Sequence, residues 1–232
     1  MARGMLWMLI ATQAVFAVIW PHDFPYLRPL LLIVQLAAFA GSIVLIAAMP
    51  VMRALIDVRT RIRHGLEHAT IAVLQERGAR VSRGMTYTRS FDLVLRGDRH
   101  LTVADIRDAA TTAIDRVAAG ERELVYSPQC GTSQVIGLLG TSVAVAIVGI
   151  IAAVHDVPPG YTFAGTILAL ALARRAAVPL GLWAQRAWTV EAHFASATVR
   201  DVAREVGATG AWVQFEVVVD VEPVKSVIAE PV

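Results

Sequence analysis

His64, Glu67 and His68 stand within one short run, His64-Gly65-Leu66-Glu67-His68. On a helix, residues i and i+4 share a face and i+3 lies beside them. Both imidazoles can therefore reach one cation, with a carboxylate alongside. Zinc suits that donor set, and H-x-x-E-H is the inverted zincin spacing. In that chemistry His64 and His68 hold the metal, and Glu67 is the general base for the attacking water. The plain alternative is a histidine pair on an amphipathic helix, bonded to carbonyls or headgroups, with Glu67 balancing Arg63.

Two protein ligands do not make a zinc site, and a catalytic zinc keeps three. Two residues compete for the third place. Glu191 follows the last apolar block, in what reads as the first turn of a helix, where an acid also complements the helix dipole. Cys130, the single cysteine of 232 residues, lies in Pro128-Gln129-Cys130-Gly131-Thr132-Ser133 at the mouth of another apolar block. A thiolate there can bind metal or act as a nucleophile; otherwise Cys130 is a small packed residue. One cysteine permits no intrachain disulfide. His22, His100, His155 and His193 read as ordinary surface histidines.

The elements that must position these groups follow from composition. The chain is 56% hydrophobic and 17% charged, against about 25% charged for a soluble domain. The apolar residues come in four blocks, Met5–Trp20, Tyr26–Met49, Val135–Val154 and Thr162–Trp183. A helix needs roughly 20 residues to cross the hydrocarbon core. The expected fold is therefore α-helical and polytopic, with about four spans in two hairpins and a small α+β cytoplasmic domain. Its parts are a first hairpin over 1–50, an α+β domain over 51–134, a second hairpin over 135–183, and a helix, strand and tail over 184–232. Arginines crowd the segment between the hairpins, whereas Pro21–Pro25 and His155–Gly160 have neither lysine nor arginine. The positive-inside rule then puts the central domain and both termini in the cytoplasm. The formal charge of +2 is explained by that asymmetry, and nucleic acid is not an expected partner. The expected partners are the lipid bilayer and membrane-protein or peptide substrates. Arg174 and Arg175 read as interface anchors.

Within the central domain, 51–77 reads as a helix closed by Gly78. Short strands follow at Arg80–Val81 and Phe91–Arg96. Thr102 caps a helix through Ala119, with Asp105 completing a capping box. Glu123–Tyr126 reads as a strand. Thr189 reads as the cap of a helix ending before Gly207, and Val213 to Val221 alternate as an amphipathic strand. The last residues, 222–232, read as a mobile tail.

The motifs together resemble the YqhQ-like group of uncharacterised bacterial membrane proteins. The shared residues are His64-Gly-x-Glu-His68, Pro-x-Cys130-Gly-Thr-Ser, and Gly181-Leu-Trp183-Ala-Gln185 followed by Thr189-Val-Glu191. A related domain of unknown function, common in cyanobacteria, resembles His64–Thr70, Ala119-Gly-Glu121 and Cys130-Gly-Thr132. The resemblance covers roughly Arg61 to Glu191. It implies a metal-dependent membrane protein of the bacterial cytoplasmic membrane, with His64, Glu67, His68, Cys130 and Glu191 as its site. Gln129 stands where the YqhQ-like pattern has arginine, which puts an anion-binding role there in doubt. The C-terminal strand has no counterpart in that pattern.

Two functions stand at this point. One is a zinc-dependent, peptidase-like hydrolase at the cytoplasmic membrane face. The other is a non-enzymatic scaffold or assembly factor with a structural metal site.

Overall fold

A computed structural model describes residue 41 and residues 57–96, 100–155, 157–194, 197–206 and 212–222. These fall into two compact units. One holds residues 128–183, the other residues 57–127 and 184–222.

The larger unit is an α/β layer pair. Helix α1 (Val58–Glu76) is followed by strands β1 (Val81–Thr86) and β2 (Ser90–Arg96), helix α2 (Val103–Ala118) and a 3-10 turn (Arg122–Val125). After the other unit come a π-turn (Gln185–Thr189) and strands β3 (Ala197–Val206) and β4 (Trp212–Val221). The sheet is antiparallel throughout, in the order β1-β2-β4-β3.

Alternation selects its buried face. Phe91, Leu93 and Leu95 pair directly with Val217, Phe215 and Val213, and all six are buried. Each fully buried side chain of this kind contributes about 1.5–3 kcal/mol. Helix α1 covers this face with Ile62, Leu66, Ala69 and Val73, and α2 with Ile106, Ala109, Ala113 and Val117. That is the i, i+3/i+4 spacing of one helix face. The alanines keep the helix axes close to the sheet.

The caps are local chemistry. At α2, the Asp105 amide donates to Thr102 Oγ1 at 3.2 Å, and the Thr102 amide donates to Asp105 Oδ2 at 2.7 Å. This is the expected capping box. Gly78 and Gly120, with φ of 86° and 110°, follow the two helices in the left-handed conformation that favours glycine.

At α1 the cap is Asp57, which accepts from the amides of Arg59 at 3.0 Å and Thr60 at 3.2 Å. Partial burial pushes the Asp57 carboxyl up. Hydrogen bonds from the Thr60 hydroxyl and these amides outweigh it and hold the carboxyl below its ordinary range. A depressed folded-state value means stability that is complete above the ordinary aspartate pKa and is lost as pH falls through the folded value. Asp57→Ala is therefore expected to cost about 1 kcal/mol at neutral pH. The cost should fade in acid, which unfolding followed by circular dichroism at pH 7 and at pH 3 would check.

The smaller unit is an antiparallel helical hairpin of α3 (Gly131–Val154) and α4 (Pro159–Ala184). Small residues set its register. A Cβ at Gly137 would lie 2.9 Å from that of Ala177, one at Gly140 4.0 Å from that of Ala173, and one at Gly165 3.6 Å from Val148 Cγ1. Both helices are long and apolar enough to cross a membrane. Their large side chains point outward: Ile150, Leu168, Leu172 and Tyr161 are all more than half exposed.

Several expectations are corrected. The described residues hold four α-helices, of which two are long and apolar enough to span a membrane, together with a four-stranded sheet. This does not fit a four-span polytopic fold. Among the described residues, the apolar side chains are shared between the hairpin and the buried face of the sheet. The expected spans at Met5–Trp20 and Tyr26–Met49 lie outside the described residues, as does the tail beyond 222. Residues 122–125 form a 3-10 turn in place of a strand. The helix expected after Thr189 is an extended passage into β3. There Val199 and Val202 pack on the core, and the ladder to β4 takes the backbone hydrogen bonds.

Candidate metal centre

Helix α1 brings His64, Glu67 and His68 together inside the protein, with 7%, 5% and 4% of their surfaces exposed. The two imidazoles meet edge to face, with centroids 4.5 Å apart. His64 Nδ1 lies 2.9 Å from the Thr189 carbonyl, and His68 Nδ1 lies 2.7 Å from the Val125 carbonyl. A carbonyl oxygen only accepts, so each Nδ1 carries a proton and donates it. In the neutral ring this puts the basic lone pair on Nε2 of both histidines. Metal-ligating histidines are typically oriented in this way, by a carbonyl on the opposite nitrogen.

Both carbonyls come from irregular backbone. Thr189 closes the π-turn, a form that recurs at functional sites. Val125 ends the 3-10 turn. The fully buried side chain of Gln185 ties these two segments together. Its Oε1 accepts from the Ser127 amide at 2.9 Å, and its Nε2 donates to the Ser127 carbonyl at 2.8 Å. The π-turn thus orients His64 directly and fixes the strand of chain that orients His68.

Gly65 lets that passage cross α1. A Cβ there would sit 2.6 Å from the Glu191 carbonyl oxygen and 3.2 Å from side-chain atoms of Phe194 and Val190. The Glu191 amide also donates to the Arg61 carbonyl at 3.2 Å. Because the obstacle is backbone, Gly65→Ala should lift the passage off α1 at a cost of about 1–3 kcal/mol. The expected readout is a lower melting temperature together with weaker metal binding.

Glu67 turns from the histidines toward the sheet. Its Oε2 accepts from Thr86 Oγ1 on β1. Its Oε1 lies where Gly84 has no side chain: a Cβ there would be 2.1 Å from that oxygen. Glycine in β1 is thus the space into which the carboxylate fits.

Glu191 reaches α1 through its backbone, while its carboxylate is held elsewhere. Oε1 accepts from its own neighbour's amide, Ala192, at 3.0 Å and pairs with His193 Nδ1 at 2.9 Å. Partial burial raises the Glu191 carboxyl, but the His193 contact and the amides outweigh it and hold the carboxyl below its ordinary range. Cys130 is buried and caps α3, its Sγ accepting from the Thr132 amide at 3.3 Å.

Reasoning from spacing missed Gln185 as a clamp, Gly65 and Gly84 as clearances, and Thr86 and the Thr189 and Val125 carbonyls as partners. Nothing in a single sequence marks a backbone carbonyl. The glycine inside H-G-x-E-H and the glutamine of G-L-W-x-Q were the available signals.

An α/β layer whose covering helix carries an inward H-x-x-E-H, joined in one chain to an apolar helical hairpin, defines the class. The chain belongs to DUF6391, a domain of unknown function whose family model matches residues 59–202. No curated protein and no solved structure matches the chain.

Proposed function

We propose that the protein is a metal-dependent hydrolase of a membrane surface, in which His64 and His68 hold one divalent ion, with the thiolate of the Pro-x-Cys130-Gly motif as the third ligand. The observation that carries the reading is the pair of Nδ1-to-carbonyl bonds. They turn the two rings into preset Nε2 donors, the orientation typical of metal-ligating histidines. Cys130 is favoured as third ligand over Glu191, whose carboxylate is committed to His193. Only two residues of chain separate Cys130 from Ser127, which Gln185 grips from both sides. A thiolate at that position also faces the positive end of α3.

Two imidazoles and a thiolate suit zinc. Three protein ligands leave a position for substrate or water, whereas a closed structural site uses four. The ion would supply Lewis acidity and a more acidic water. Glu67, buried and adjacent to His68 in the sequence, is the proposed proton acceptor; that role requires its carboxylate to turn from Thr86 toward the histidines. A peptide is the substrate class that the inverted zincin spacing suggests. The likeness to the YqhQ-like membrane proteins rests on the same residues.

The outward apolar side chains of α3 and α4 support insertion in a bilayer. The turn at 155–160, which has neither lysine nor arginine, and the arginine-rich larger unit favour the bacterial cytoplasmic membrane, with that unit on the cytoplasmic side.

Elemental analysis of the purified full chain tests the reading. About one zinc per chain is expected, and a chain purified under metal-replete conditions without any transition metal would overturn it.

A further inference from the structure

The second apolar helix carries two charges part-way along an apolar surface. Arg174 and Arg175 are exposed on α4, between the apolar runs 162–173 and 176–183. Neither makes an ion pair among the described residues. Leu172, one turn before Arg175, and Val178, one turn after the pair, are exposed apolar side chains.

The register of the hairpin fixes their level. Gly140 faces Ala173 and Gly137 faces Ala177, so the arginines stand beside Leu138 and Leu139 of α3. From Leu139 to Val154, α3 rises about 24 Å at 1.5 Å per residue. The hydrocarbon core is about 30 Å thick. The uncharged stretch from Leu139 to Val154 therefore nearly fills the core, with the two arginines at its rim. Long arginine side chains close such a shortfall by reaching to the headgroups while their stems stay on apolar surface.

Pro179 points to the same level independently. It lies inside α4 and has no amide hydrogen, so it cannot donate to the Arg175 carbonyl one turn earlier. A backbone carbonyl deprived of its helical donor is costly in hydrocarbon and tolerable where water and headgroups are present.

We propose that Arg174 and Arg175 form a binding site for the phosphate of anionic phospholipids and set the depth of the hairpin in the membrane. Guanidinium groups match phosphate geometry with paired N–H donors. The first two turns of α3 and the last two of α4, including the half-exposed Trp183, then lie in the headgroup zone. That is where amphipathic indole rings are enriched.

The proposal rests on the bilayer reading of the hairpin, and one experiment separates the two. The full chain is reconstituted in vesicles of phosphatidylcholine and phosphatidylglycerol at 3:1, floated on a density gradient, extracted gently, and its retained lipid counted by native mass spectrometry. Wild type should float and keep phosphatidylglycerol several-fold over its share of the mixture. The double variant R174Q/R175Q should float but lose that enrichment, R174K/R175K should keep part of it, and R200Q, on β3 of the larger unit, should leave it unchanged. Equal enrichment in wild type and R174Q/R175Q would overturn the site. A wild-type chain that does not float would overturn the bilayer reading and the site with it.

Discussion

Replacing Glu67 by Gln is expected to lower turnover by about 10²–10⁴-fold, the contribution of a positioned general base, without removing the metal. Glutamine has the volume of glutamate and can still accept from Thr86 Oγ1, the bond that anchors the native carboxylate. It cannot take up a proton. Hydrolysis of a fluorogenic peptide library, measured beside metal content on the same preparation, checks both halves. A variant with full activity would remove Glu67 from the chemistry. A variant that loses activity and metal together would make it a structural support of α1.

His68→Ala carries the second large effect, on metal affinity. The substitution deletes one nitrogen donor and leaves the buried Val125 carbonyl without the proton it accepts at 2.7 Å. Loss of an outer hydrogen-bond partner alone typically weakens a site about 10–100-fold, so loss of a ligand should exceed about 100-fold. Competition with a chromophoric chelator measures it. His64→Ala, which frees the Thr189 carbonyl, should behave alike. Affinity in the wild type should also fall as the medium is acidified, because protons compete with the ion for the imidazoles and the thiolate. If the histidines only pack, both variants melt earlier while metal binding is unchanged.

Local chemistry in the sequence foretold much of this molecule. Thr102 with Asp105, Gly78 after α1, and the alternation of Phe91-Leu93-Leu95 and of Val213 to Val221 each report a local preference, and each formed as expected. The i, i+4 spacing was enough to put His64 and His68 on one face. Failures came where tertiary context decides. Residues 197–206 contain good helix formers, yet pairing with β4 and burial of Val202 make them a strand. Residues 122–125 looked extended, yet the backbone bends there and ends by offering the Val125 carbonyl to His68. Residues 189–194 were expected at the start of a helix around Glu191. With that passage extended, its backbone meets Gly65 and its carboxylate turns to His193.

The most direct test is X-ray absorption at the zinc edge on the zinc-loaded full chain. The account predicts a first shell with two nitrogens near 2.0 Å, one sulfur near 2.3 Å and one further light atom. The sulfur should vanish in Cys130→Ser. A shell of nitrogen and oxygen alone in the wild type would contradict the assignment of Cys130, and with it the three-ligand centre on which the proposed chemistry depends.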